Sequence, residues 1–262
     1  MKTNIIILAA GEGTRLRPYT NKVPKGMVPL LNKPIIQRNI VEWRKVADCQ
    51  FCFVTGYQPH VIQEMGEICI HNEQFNQTNM VWSLACALDY IRLQDADSIF
   101  VSYADIVVHN TRIKQLIKAS GRVCVEVDTN WQTLWAMRMD NFLDDVETLA
   151  HDGYKITSLG QKPSSIEEVQ GQYIGLMRFD RLLLVELLSE YLVWVDQADD
   201  AADIHRRKNI YMTDFIQSYI NASGIVQPVF IDGGWLEVDT VDDLKVYEAH
   251  NDAAIFQGLL KE

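Results

Sequence analysis

The sequence predicts an α/β fold with a mixed, mostly parallel sheet flanked by helices. Short apolar or β-branched runs recur at NIIILAA (4–10), QFCFVTG (50–56), SIFVSYAD (98–105), RVCVEVD (122–128) and QYIGLMRF (172–179). Helical patterns separate several of them, and alternation of strand with helix requires crossovers that cover both faces of a parallel sheet. The chain has 262 residues, 48% of them hydrophobic, which is enough for one large core.

Each element has its own signal. The first strand ends near Ala10 and breaks into glycines and cations. Amphipathic periodicity then predicts helices at about 34–46, 58–66, 79–92 and 111–119, and CQFCFVTG reads as the start of a strand between the first two. The stretch VDQADDAADIHRRKN (195–209) is low in large apolar residues and reads as a surface loop or mobile insertion. NIYMTDFIQSYINASG predicts a helix closed by Gly224, and a last amphipathic helix is expected from about Val241 to the terminus. Neither an internal repeat nor a low-complexity segment is evident.

Composition removes several function classes. A formal net charge of -11 opposes binding to long nucleic acids or an anionic membrane, which need widespread positive potential. The opening apolar run is short and nowhere do 18 apolar residues run together, so a cytoplasmic protein is expected, with no membrane partner. Five cysteines fit reduced thiols. Cys49 and Cys52 spell C-x-x-C, but residues three apart on a strand face opposite ways, which suits neither a redox pair nor a shared metal. The six histidines lack the paired spacing of a zinc hydrolase.

Residues 11–33, GEGTRLRPYTNKVPKGMVPLLNK, set Arg15, Arg17, Lys22, Lys25 and Lys33 against Glu12, a formal +4 in an acidic chain. Gly11 and Gly13 let backbone N–H groups approach an anion, and Arg15 and Lys25 can neutralise phosphate oxygens. A small phosphorylated ligand such as a nucleotide is therefore expected; a solvated basic loop with turn glycines is the plain alternative. The dinucleotide fingerprint would need glycine at Leu16, and the P-loop's Gly-Lys-Ser/Thr is absent. If the phosphoryl group of such a ligand were transferred, a magnesium ion on one or two carboxylates would be expected. Asp105, directly after a strand, and Asp239, just before the last helix, are the candidates, against turn formation and helix capping. Asp232 in IDGGW reads as a turn residue.

The stretch LAAGEGTRLRPYTNKVPKGMVPLLNKP resembles the signature of nucleotidyltransferases that move NMP from an NTP onto a phosphorylated acceptor and release pyrophosphate. The resemblance implies a Rossmann-like nucleotidyltransferase fold over nearly the whole chain, as a single domain, 1–262, with the acceptor-binding portion at about 125–235. It implies that the nucleotide lies against Leu8, Ala10, Gly11 and Gly13 with the glycine loop around its triphosphate, that Arg15 stabilises charge at the reacting phosphate, that Lys25 contacts phosphate, and that Asp105 and Asp239 hold Mg2+.

NQTNMVWSLACAL offers Gln77, Asn79 and Ser83 to a nucleobase edge, although Thr78 or Asn79 can instead cap the helix. Its TNM is similar to small-acceptor cytidylyltransferases, including phosphocholine cytidylyltransferase, so CTP is the expected nucleotide. SYADIV, DTNWQTLW, QYIGL, NIYMTDF and WLEVD together resemble capsule-pathway enzymes that attach CMP to phosphoglutamine. On that resemblance the acceptor is a small phosphorylated molecule. Trp131 and Trp135 stand four apart, as core or as an aromatic wall for the acceptor. Lys162 aligns in type with a lysine on the acceptor phosphate, and Arg138 is placed to assist; both are otherwise surface charges. Asp128, Asp145 and Glu147 are candidates for an ammonium or amide on the acceptor.

Two alternatives stay open: a sugar-1-phosphate uridylyl- or thymidylyltransferase, and a non-catalytic nucleotide-binding regulatory subunit. A homo-oligomer also stays open, with Tyr247 and Phe256 packing on the core or on another subunit.

Overall fold

All five apolar runs become strands of one seven-stranded sheet. The structure is a computed structural model that describes residues 2–253, 256 and 259. In chain order β1 (Thr3–Ala9) is followed by a two-strand hairpin, β2 (Pro29–Leu30) with β3 (Lys33–Pro34), and by helix α1 (Ile35–Arg44). Next come β4 (Cys49–Thr55), α2 (Pro59–Gln63), β5 (Ile68–His71), α3 (Met80–Cys86) and α4 (Leu88–Arg92), so the helix expected over 79–92 breaks at Ala87. β6 (Ser98–Tyr103), β7 (Ile106–Val108), α5 (Asn110–Lys118), β8 (Val123–Asp128) and α6 (Trp131–Arg138) follow. The chain continues through β9 (Leu149–His151), β10 (Ile156–Leu159), β11 (Gln172–Asp180), α7 (Arg181–Asp196), α8 (Ala201–Lys208) and α9 (Met212–Asn221), then β12 (Val226–Ile231), β13 (Trp235–Glu237) and α10 (Val241–Ala249).

The strand order is β12-β8-β11-β6-β1-β4-β5. Only β11 runs against its neighbours, β6 and β8, and the remaining pairs are parallel. β1 registers Leu8 with Val54 on one side and with Tyr103 on the other, so the carboxyl ends of β1, β4 and β6 lie level. In a parallel sheet this end receives ligands. Two apolar layers cover the sheet: Ile5, Ile7, Trp43 and Phe53 belong to one, Ile6, Val54, Leu84 and Met177 to the other. Cys49 packs against the first layer and Cys52 lies in the second, as the strand reading of C-x-x-C requires, and all five cysteines are free.

Three expectations are corrected. Residues 195–209 are not a loop. α7 runs to Asp196, and α8 forms because Asp200 caps it by accepting from the Asp203 N–H (2.8 Å) while Asp203 pairs with Arg206 and Arg207 one turn on. α9 closes not on Gly224 but on Ser223, which takes the left-handed conformation (φ 67°). α10 ends at Ala249 rather than at the terminus, whose last residues lie outside those described. Tyr247 and Phe256 are buried against each other in this chain's own core, ring centroids 5.1 Å apart.

Glu126, in the middle of β8, is fully buried and neither carboxylate oxygen has a hydrogen-bond partner. Burial pushes its pKa up to about 8, with Arg112 opposing and Asp128 adding to the rise. The folded state therefore keeps a proton that the unfolded state releases, so stability falls as pH rises from the ordinary carboxylate range through about 8. At about 1.4 kcal/mol per pH unit the loss by pH 7 is about 3 kcal/mol. Glu126→Gln is expected to melt higher than the parent at pH 8 and equally at pH 5; equal melting at both pH values would refute the assignment.

Candidate active site

The site is built on the carboxyl ends of β1 and β6. After β1, Gly13 takes a left-handed conformation (φ 64°), and an added Cβ would come within 2.8 Å of the Lys25 Cβ. The Gly13 carbonyl accepts from the Leu16 N–H (3.0 Å) and the Thr20 hydroxyl (2.8 Å), which fixes the loop's return. Arg15 is left projecting outward, with a side chain 63% exposed, and Lys25 turns inward.

Asp105 and Asp239 lie 134 residues apart in the chain and meet because β7, directly after Asp105, pairs antiparallel with β13, which ends at Glu237 with only Val238 between it and Asp239. The Val238 N–H donates to the Asp105 carbonyl (2.9 Å) and locks the junction. Helix capping does not consume Asp239: Thr240 is the cap of α10 and Asp243 completes a capping box. Asp239 is free to face Lys25, which donates to both Asp105 and Asp239, and Arg15 Nη2 reaches the second Asp239 oxygen at 2.7 Å. Burial alone would lower the Lys25 pKa, but Asp105, Asp239 and Glu237 outweigh it and keep the ammonium charged. Burial raises Asp239, and Lys25 and Arg15 overcome this to hold it below the usual carboxylate range.

Glu237 completes the cluster and was missed in the sequence. Its signal was E-V-D: residues two apart on a strand share a face. Carboxylate oxygens of Asp105, Glu237 and Asp239 lie within 4.8 Å of one another, and burial pushes Glu237 up to about 8 against the opposing charge of Arg138. One oxygen of Asp105 is buried and unpartnered. Three hard oxygen donors with such an oxygen fit Mg2+ in donor type.

A cavity of about 440 Å3 opens over this cluster, lined by Leu8, Ala10, Gly11, Gly13, Arg15 and Lys25 on one side and Asn79, Ser83, Asp105 and Asp239 on the other. Asn79 both caps α3, accepting from the Met80 N–H (2.8 Å), and lines the cavity; Ser83 is buried and accepts from Asn72 Nδ2 at 3.0 Å. Gln77 lines neither cavity, and its backbone carbonyl is held by Asn209.

A second cavity, about 160 Å3, adjoins the first and shares Met80, Tyr103 and Glu237 with it. Its walls include Trp135, Asp145, Glu147, Tyr173, Tyr211 and Trp235, and no lysine or arginine lines it among the described residues. Gly175 (φ 79°) lets β11 press on Tyr103, whose ring would lie 2.4 Å from an added Cβ. Burial raises Glu147, with a hydrogen bond from Thr213 opposing.

The acceptor-side expectations divide. Trp135 lines the second cavity and donates to Asp145 at 3.2 Å, whereas Trp131 is a core residue packed edge-on against Trp135 and Phe142. Arg138 is not a surface charge: its side chain is 1% exposed and bonds Asp243 (2.9 Å) and Glu237 (3.1 Å). Lys162 lines neither cavity and donates to the Asp144 carbonyl (3.1 Å). Asp128 is buried, accepting from Trp235 Nε1 (2.7 Å) and the Gly233 N–H (2.9 Å), so it braces the turn before β13. Asp232 lies in the short connection between β12 and β13, its carbonyl accepting from Arg112 (2.6 Å).

This sheet, with a glycine-containing cationic loop after its first strand and paired aspartates facing it, is the architecture of enzymes that transfer nucleotidyl groups. The chain belongs to the family of MobA-like NTP transferase domains, whose family model matches residues 5–165. It is 36% identical over 250 residues to the CTP:phosphoglutamine cytidylyltransferase of Campylobacter jejuni, covering 93% of this chain and 98% of that one. Among solved structures it is similar in fold to the inositol-1-phosphate CTP transferase from T. maritima (TM-score 0.73, 17% identity, 98% and 96% of the two chains). It is likewise similar to the CTP:phosphocholine cytidylyltransferase of Streptococcus pneumoniae (TM-score 0.70, 20% identity, 95% and 99%). Among the described residues, no helix is long and apolar enough to cross a membrane.

Proposed function

We propose that the protein transfers CMP from CTP to a small phosphorylated acceptor, phosphoglutamine- or phosphocholine-like, and releases pyrophosphate. The observation that carries this reading is the pair of adjoining cavities of opposite character. The larger has nucleotide size and a cationic glycine loop; the smaller is aromatic and acidic, through Asp145, Glu147 and Glu237. Such a wall suits a head group bearing a cationic, amino or amide nitrogen. The relative from Campylobacter supports CTP and an amide-bearing acceptor.

In the reaction an acceptor phosphate oxygen attacks the α-phosphorus of CTP, and the bond to the bridging oxygen of the β-phosphate breaks as pyrophosphate leaves. The attacking oxygen is already anionic at neutral pH, so no general base is required. Arg15 and Lys25 neutralise the phosphate oxygens, and the Gly11–Gly13 backbone orients the triphosphate. Asp105, Asp239 and Glu237 are the residues that would hold Mg2+, which supplies further neutralisation of the triphosphate charge when bound. Asn79 and Ser83 address the base. The acceptor-binding portion at about 125–235 supplies Trp135, Asp145 and Glu147. Five free cysteines fit the reducing cytoplasm.

The test is pyrophosphate release with magnesium, each of the four NTPs, and phosphocholine, phosphoglutamine, 2-aminoethylphosphonate or glucose 1-phosphate. Release is expected with CTP and an amine- or amide-bearing phosphate. Release with UTP or dTTP and glucose 1-phosphate would overturn the base and acceptor assignments, and CTP binding without release from any acceptor would favour a regulatory subunit.

A further inference from the structure

The two cavities are joined by a segment to which neither the glycine loop nor the acidic cluster contributes. α8 ends at Lys208, and its last residues dock on the loop that precedes α3. The Asn79 N–H donates to the Lys208 carbonyl (3.0 Å), and Asn79 Nδ2 donates to the Asn209 carbonyl (3.3 Å). In return Asn209 Nδ2 donates to the Gln77 carbonyl (2.8 Å) and to the His205 carbonyl (2.7 Å). Lys208 Nζ adds a bond to Gln74 (3.0 Å) and sits 4.0 Å from the Trp82 ring centre. Two residues beyond Asn209, Tyr211 reaches the rim of the small cavity. Thr213, which is buried, lines the same cavity and bonds Glu147.

Asn79 faces the large cavity and Tyr211 the small one; Lys208 and Asn209 both bond the loop between them through side chain and backbone, and Asn209 is the one of the two whose side chain reaches the Gln77 carbonyl. We propose that Asn209 is a positioning residue that couples the cavities, so that nucleotide bound against Asn79 fixes the segment presenting Tyr211 and Thr213 to the acceptor. The inference rests on the reading of the large cavity as the CTP site. Its physical basis is ordering. Tyr211 is 57% exposed, and its backbone bonds, from its N–H to Asp214 (2.9 Å) and from the Phe215 N–H to its carbonyl (3.1 Å), lie within its own helix start rather than across the cavity. Once the 74–79 loop is immobilised by a ligand, its bonds to Asn209 immobilise the following residues too, and the acceptor then meets a wall whose ordering cost has already been met. Coupling of this kind is reciprocal, and its usual size is about 5- to 150-fold in affinity.

Amide hydrogen exchange with CTP and magnesium, without acceptor, reads this directly. In the parent protein CTP is expected to slow exchange at least ~5-fold in both 74–79 and 209–214. In Asn209→Ala, and in Asn209→Asp, which keeps the size but loses both donated bonds, CTP should still protect 74–79 and leave 209–214 unchanged. A merely structural role would lower the melting temperature of the variants yet leave protection of 209–214 by CTP intact, and that result overturns the proposal. Protection confined to 74–79 in the parent overturns it as well, while the CTP reading stands. Protection of neither segment by CTP removes the CTP reading and the coupling together.

Discussion

Asp105→Ala is expected to reduce pyrophosphate release about 10^3-fold or more while the protein folds as before. Nucleotidyl transfer offers little covalent work to side chains, so the rate rests on placing charge around the reacting phosphate, and removal of one such group costs roughly 10^2- to 10^3-fold. Asp105 acts twice: it is one of three carboxylates that would hold a divalent ion, and it positions Lys25. Losing both functions places the effect at or beyond the upper end of that range. Folding should survive, because Lys25 retains Asp239 as a partner and the β7–β13 pairing uses backbone groups. Asp105→Asn keeps the volume and separates the two functions: it preserves a hydrogen-bond acceptor for Lys25 but weakens the cluster as a cation site. Its residual rate should therefore be restored in part by raised magnesium, whereas Lys25→Ala should not respond. The measurements are pyrophosphate release against magnesium concentration and the circular dichroism of each variant. Full activity in Asp105→Ala would end the assignment.

The glycine loop was legible because its chemistry is local. Gly11, Gly13, Arg15 and Lys25 lie within fifteen residues, and spacing alone pointed to an anion. Asp105 and Asp239 were legible one at a time, as aspartates just after a strand and just before a helix, while their meeting depends on β7 and β13, which are three residues each and too short to leave a periodic signal. The failures have the same physical origin in reverse. Arg138 and Trp131 looked available for an acceptor because their partners are set by tertiary contacts: Glu237 and Asp243 lie about a hundred residues from Arg138, and Trp131 is closed in by Trp135 and Phe142. α8 lacked the apolar stripe that announces a helix because ion pairs along its own surface and a side-chain cap stabilise it. Hydrophobic periodicity records burial, and it is blind to helices held by charge.

Arg138→Ala is expected to destabilise the protein by about 3–5 kcal/mol, the usual cost of stripping one partner from a buried ion pair. At roughly 2–4 °C per kcal/mol for a chain of this size, the melting temperature should drop by about 10 °C. Arg138 holds three elements at one point: its own α6, β13 through Glu237, and the start of α10 through Asp243. Asp243 in turn accepts from the Asp239 and Thr240 N–H groups, both at 2.8 Å, so the guanidinium steadies the turn that aims Asp239 at Lys25. Without it, Glu237 and Asp243 face each other's field in the interior with no cation between them, and Glu237 loses the charge that opposes its burial. Activity should fall along with stability, in a variant whose residue touches neither nucleotide nor acceptor. Arg138→Lys retains one charge but not the fork that reaches two carboxylates, and belongs between the parent and alanine. Urea unfolding of the three proteins decides the matter: a loss below about 1 kcal/mol in Arg138→Ala, the range of exposed pairs, would mean that the pairing contributes no more than a surface contact and that β13 and α10 are held by packing alone.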